Sequence, residues 1–321
     1  MIDFRYHLVS LVAVFLALAA GIVLGSGPMR SALVSELTNE TDELRELLAE
    51  AEAETARTQE EGALGEEFVD QASDVLLGQS LAEQDVAIIR VHDPDGAEIT
   101  GIRTRVVSAG GTVTANLTIL PAWTDDDQAA FRGAFAAQVS PNVVGVDSTV
   151  APSTVLAHAL AQAMVPTDVP AGTAQTDLPD LASAEERSRV LLGLLRDADL
   201  VSGTVNGEID VILWVQGDGP DDIELFALES GTLTEVVGIV DEYAEHSVVA
   251  TGTPRAGGIP EVIQSSALLR DRVSTVTDAM NHYGQFTVAL AMAYEISGEP
   301  GHYGYGEDQE IFPGAPPTAS N

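Results

Sequence analysis

The sequence predicts an α/β protein: an N-terminal transmembrane helix and an acidic coiled-coil stalk, followed by an open, mainly parallel sheet with flanking helices. Three observations carry this reading. Residues 8–25 contain no charged side chain. Residues 30–61 space apolar side chains at heptad positions in an acidic background. Beyond them, short Val/Ile runs alternate with helical patterns and end in Asp/Gly-rich turns, the signature of βαβ units.

The first segment, 1–28, is read as a short tip and a membrane span. Eighteen uncharged residues at 1.5 Å rise make a helix of about 27 Å, close to the thickness of a bilayer core. Pro28, which a helix rarely continues through, follows. A cleaved signal peptide is the competing reading: Arg5 supplies a positive n-region, and Ala17-Leu18-Ala19 resembles a cleavage site. Ile22, Val23 and Leu24 prolong the apolar run past that site and favour an uncleaved anchor. Ala17, Gly21 and Gly25 fall four apart on one face, a small-residue spacing that lets two spans pack. Arg30 and Arg45 offset Arg5, so basic residues alone do not orient the span. The short, singly basic N-terminus argues for an inside N-terminus and an extracytoplasmic body, with inner or outer membrane left open.

Residues 29–62 form the expected stalk. Leu33, Leu37, Leu44, Leu47 and Ala51 occupy a and d positions, interrupted by Glu40 and Glu54 at d. A parallel coiled coil joining copies and a single solvated helix both fit this pattern; tethering in a membrane favours the former. Glu60-Glu61-Gly62 and Gly65 predict a break before the body.

The body is placed at 63–306. After a helix over Glu66 to Ala82, Asp85–Val91 is strand-like and leaves through His92-Asp-Pro-Asp-Gly96, with Asp95 as a helix N-cap. A helix to Ser108, a Gly110-Gly111 stop and a second strand, Thr112 to Ile119, complete a βαβ unit. Helices are predicted over 125–138, Pro152 to Met164 and Glu185 to Asp197, the last with its Arg residues outward. Residues 166–183 form a Pro/Thr/Asp-rich loop between two βαβ-like halves. Asp210–Val215 then repeats the first strand and leaves through Gln216 to Asp222. A helix over Leu225 to Glu245, broken near Gly231, a strand over Ser247 to Thr251 and a buried helix over Gln285 to Ile296 follow. Residues 307–321 read as a disordered tail.

Net charge is −36 with a pI of about 4.1, and all 14 basic residues are Arg. Such a surface repels nucleic acid, so no nucleic-acid partner is expected, and it disfavours anionic lipid surfaces. Its ordinary explanation is solubility in high salt. The absence of Cys removes disulfides, thiolate catalysis and Cys metal sites. No Gly-x-Ser-x-Gly, His-Glu-x-x-His or P-loop motif occurs, so the chain is not read as an enzyme. The loops at 92–96 and 216–222 lie where parallel sheets bind ligands, although turn chemistry alone explains their composition.

RYHLVSLVAVFLALAAGIVLGSGP at the N-terminus, the heptad segment and the late GHYGYG (Gly301 to Gly306) together resemble the actinobacterial copper transporter (MctB) family. The resemblance implies a role in copper export or tolerance, as a channel or an accessory to one. With copper ion as the implied ligand, Met280, His282 and His302 are the candidate contacts, because thioether and imidazole suit copper. His92 is a weaker candidate. The strand–helix alternation is not that of a membrane β-barrel, so any pore must come from assembly. The alternative is a non-enzymatic scaffold: a homo-oligomer in the lipid bilayer that recruits an envelope protein. Its interface residues would be Ala17, Gly21, Gly25, Leu33, Leu37, Leu44 and Leu47.

Overall fold

The computed structural model describes residues 4–26, 28–147, 150–169, 183–306 and 309–314. Two units follow one another along the chain, residues 1–65 and 66–321. The first contains helix α1 (Phe4–Ser26) and most of helix α2 (Pro28–Leu77). The apolar stretch Phe4–Val23 is long enough to cross a membrane, and none of it is buried within the protein. Pro28 stands at the first position of α2, where its missing N–H costs nothing. The break predicted at Glu60 to Gly65 is absent: α2 continues through both glycines to Leu77. Two glycines weaken a helix by only about 1 kcal/mol each, and the flanking Ala and Glu residues are good helix formers.

The second unit is a seven-stranded sheet: β1 (Asp85–Val91), β2 (Thr112–Ile119), β3 (Val201–Val205), β4 (Val211–Gln216), β5 (Ser247–Thr251), β6 (Val273–Val276) and β7 (His302–Tyr303). The spatial order is β3-β2-β1-β4-β5-β6-β7. Every pairing is parallel except the antiparallel β2–β3 edge. Helices α3 (Gly96–Ser108), α4 (Ala129–Val139), α5 (Pro152–Met164), α6 (Ala184–Asp197), α7 (Ile223–Ala244), α8 (Ile259–Ser265) and α9 (His282–Ile296) flank it. Strands β4, β5 and β6 are buried along their whole length, as expected of parallel strands covered on both faces. The period-two alternation separates two cores. Val86 and Ile88 face a cluster containing Ile102 and Val106 of α3 and Leu290 of α9. Ala87 and Ile89 face the opposite cluster, built with Leu156 of α5, Leu191 of α6 and Val237 of α7.

Several local expectations are corrected. Helix α7 is unbroken at Gly231. Asp222 caps it by accepting from the N–H groups of Glu224 and Leu225, and its buried face from Phe226 to Val240 carries it past the glycine. In α6 not every Arg faces outward: Arg187 is buried and donates to the Thr167 carbonyl at 2.6 Å. Within the GHYG stretch, which the sequence places in the body, His302 and Tyr303 form edge strand β7, a strand not expected from the sequence. Gly304, at φ +147°, leaves no room for a side chain, since a Cβ there would overlap the Thr277 hydroxyl. Strand β3, helix α8 and strand β6 were not expected from the sequence. Residues 170–182 of the predicted loop and 307–308 and 315–321 of the predicted tail lie outside the described residues, as do the side chains of Leu33 and Leu37.

Candidate functional site

The sheet order reverses at β1. Its crossover through α3 leads to β2 on one side, while β4 pairs with it on the other. In open parallel sheets this switch point opens a crevice at the carboxyl ends of the strands. Here it lies between the exits of β1 and β4, at His92 to Asp95 and Gln216 to Gly219. The two loops touch. A Cβ on Gly217 would lie 2.4 Å from the His92 carbonyl oxygen, so only glycine fits. His92 and Asp93 both adopt left-handed backbone, at φ +55° and +48°. Two consecutive non-glycine residues in this region mark a strained turn held in place by its surroundings.

His92 is the centre of a mostly buried polar group. Its Nε2 lies 3.1 Å from Glu229 Oε2, and its Nδ1 lies 3.4 Å from Gln216 Nε2. Burial pushes the imidazole below its ordinary value, against the upward pull of Glu229. A neutral ring turns its lone pair to one neighbour and its N–H to the other. Gln216, the last residue of β4, is buried; it donates to Ser230 Oγ at 3.1 Å and accepts from the Ile259 N–H at 3.3 Å. The His92 ring packs on Phe226, and the Arg255 guanidinium sits 4.0 Å from the Phe226 ring centroid. Arg255 also donates to the carbonyls of Asp218 and Pro220.

Two adjoining cavities meet at Gln216 and Gly217. One, of about 430 Å³, runs along the β1 exit to Met280; the other, of about 360 Å³, runs under Arg255 toward Gln264. Asp93, Asp95, Glu98 and Asp218 line the first. Burial pushes the Glu98 carboxyl up, opposed by a hydrogen bond from the Asp95 backbone and supported by the negative charges of Asp95 and Asp218. The cavity therefore disfavours anions and suits a small cation or an uncharged polar group. Among the described residues, no three His, Asp or Glu side chains converge as a preformed chelate.

The three candidate copper contacts fall in different settings. Met280 is partly buried against the α3–α9 core and lines the 430 Å³ cavity. His282 opens α9, with Nδ1 2.8 Å from Asp70 Oδ1 and Nε2 4.0 Å from Glu66 Oε2. His282 and Arg105 hold the Asp70 carboxyl below its ordinary value. His302 has both ring nitrogens engaged, Nδ1 with Thr275 Oγ1 at 2.9 Å and Nε2 with the Arg270 carbonyl at 3.0 Å. Ala17, Gly21 and Gly25 are exposed on α1, and Leu44 and Leu47 on α2.

Comparison with known proteins decides the family. The profile described as copper transport outer membrane protein, MctB, matches residues 1–313. The chain belongs to the MctB family. The MctB match takes in α1, α2 and all seven strands. Copper transporter MctB of Mycobacterium bovis is 28% identical over 325 residues, covering 95% of this chain and 97% of that protein. The Mycobacterium tuberculosis protein of the same name matches equally. That of Mycobacterium leprae is 31% identical over 125 residues, or 39% of each chain. The MctB family is one of copper transport, and among its described residues this member carries one apolar N-terminal helix able to span a membrane.

Reading the sequence placed the 92–96 and 216–222 loops at strand ends but missed Phe226, Glu229 and Arg255. A signal for Arg255 was present: Thr251-Gly-Thr-Pro-Arg255 is a third Gly/Pro-rich strand exit, equivalent to the other two.

Proposed function

We propose that the chain acts in copper export or tolerance as a membrane-anchored accessory component, with its α/β unit on the extracytoplasmic side. The supporting observation is the MctB match over residues 1–313, which joins one apolar span to an open sheet. A single span and a sheet covered by helices favour an accessory over a self-contained channel; a pore in this reading requires several copies. The copper contacts in this reading are Met280, His282 and His302. Met280 is the one that borders the switch-point crevice, whose acidic lining suits a cation.

A second reading, a scaffold that recruits an envelope protein, draws on the exposed Leu44 and Leu47 of α2. Metal binding by the purified full-length protein in detergent separates the two. The copper reading expects the protein to compete with a Cu(I) chelator. It also expects Met280→Leu, His282→Ala and His302→Ala together to weaken binding at least tenfold. Unchanged affinity would remove these contacts, and no competition at all would favour the scaffold.

A further inference from the structure

The end of α2 that belongs to the α/β unit carries two faces, and among the described residues only one packs within the chain. Asp70, Ser73 and Leu77 lie on one stripe, spaced three and four residues apart. Ser73 and Leu77 are buried, and Asp70 and Ser73 both hold Arg105 of α3. Phe68 and Val75 lie on the far side of the helix and remain 69% and 81% exposed. They are among the most exposed large apolar residues of the unit, while the adjoining Leu76 is 50% exposed.

The heptad frame explains these exposed positions. Counting on from d positions Leu33 and Leu47 and a positions Leu37 and Leu44, Phe68 and Val75 fall at d and Ala72 at a. The helix runs unbroken through this stretch, so the frame is not reset. The twelve a and e positions between 37 and 76 carry no charge, in a helix otherwise dense with Glu and Asp. Glu40, Glu54 and Glu61 interrupt the d column, which leaves an apolar group at each end of the seam. Beside the lower group, Val69 and Leu76 at e border an apolar groove of about 440 Å³ with Phe286 and Leu290 of α9.

We infer that Phe68, Ala72 and Val75 form a homotypic seam, occupied by the same segment of a second copy lying parallel to it. This inference rests on the coiled-coil reading of residues 29–62 and extends that coil into the α/β unit. The occupant follows from the repeat. A d column faces its own counterpart in a parallel pair, and anchoring through α1 gives both copies the same direction in the membrane. Over residues 68–76 the a, d and e positions are all uncharged, so two strongly acidic chains can approach along this stretch without the like-charge contacts that Glu40, Glu54 and Glu61 bring to the d column above it.

Because the chain lacks Cys, single substitutions report the contact cleanly. Leu44→Cys, Val75→Cys and Glu67→Cys would each be placed in the full-length protein in detergent and oxidised with diamide. Glu67 is exposed at a c position, off the seam. The seam predicts that Val75→Cys forms disulfide-linked dimer at least fivefold more than Glu67→Cys, and that added Phe68→Glu abolishes it. If Leu44→Cys links and Val75→Cys does not exceed Glu67→Cys, the extension is wrong and the stalk reading stands. If neither Leu44→Cys nor Val75→Cys links, both are wrong.

Discussion

Raising the pH from 5 to 9 is expected to destabilise the α/β unit through one side chain, Glu295. This residue of α9 is 3% exposed, and its Oε2 accepts from both the N–H, at 3.0 Å, and the hydroxyl of Ser274. Burial pushes its carboxyl from 4.5 to about 8, and the nearby Asp241 carboxyl adds to the rise. A carboxyl raised in the folded state favours folding in its neutral form. Its contribution is full below the unfolded value and is lost as pH climbs through the folded one. The gap between 4.5 and about 8 corresponds to a change of the order of 5 kcal/mol. Asp241, also buried and raised by desolvation, is offset by Arg272, whose Nη2 donates to its Oδ2 at 2.8 Å. Glu295→Gln keeps an acceptor oxygen for Ser274 and removes the titration. In thermal unfolding between pH 5 and 9, the full-length parent should lose stability more steeply than the variant. Equal slopes would show that Glu295 does not titrate in this range.

Trp214→Ala is expected to cost about 3–5 kcal/mol, in the upper range for core truncations. Trp214 sits in the middle of β4, fully buried, between β1 on one side and β5 on the other. Its side chain fills the core that α5 and α7 cover. Its indole Nε1 is buried with no hydrogen-bond partner among the described residues. An unmade buried hydrogen bond costs about 1–3 kcal/mol, so Trp214→Phe removes a penalty together with part of the volume. The phenylalanine variant should therefore lose less than half of what the alanine variant loses, measured by denaturant midpoint at constant slope. Equal losses would mean that volume alone sets the cost.

The parts of the fold legible in the sequence were those with local signals. Strand β1 and strand β2 were read to the residue, β1 because its apolar run ends in an Asp/Pro/Gly turn and β2 because its alternating, Thr-rich segment lies between Gly110-Gly111 and Pro121. The cap at Asp95 was legible because a side-chain acceptor before a helical pattern has few other uses, and it does accept from the Ala97 N–H. Strands β3, β6 and β7 were missed. Val201–Val205 contains Gly203, and Val273–Val276 is four residues long with two hydroxyl side chains. Such stretches become strands only because a neighbouring edge supplies the hydrogen bonds.

The candidate site divides in the same way. Its loops were legible as turn chemistry at strand ends. Glu229 and Arg255 were not, because they reach the crevice from a helix and a third loop, by spatial proximity alone. Met280 and His282 are close in sequence but serve different neighbours: one borders the crevice cavity and the other pairs with Asp70 of α2. The helix break expected at Gly62 and Gly65 failed because composition was weighed without the strong helix formers on either side.

Cell-associated copper is the most direct measure of the central claim. It would be compared in a strain deleted for this chain, grown in raised copper, and in the same strain carrying the full-length gene. The account predicts higher copper on deletion, returned to the parental level by the gene. Equal copper in the deleted, complemented and parental strains would contradict it.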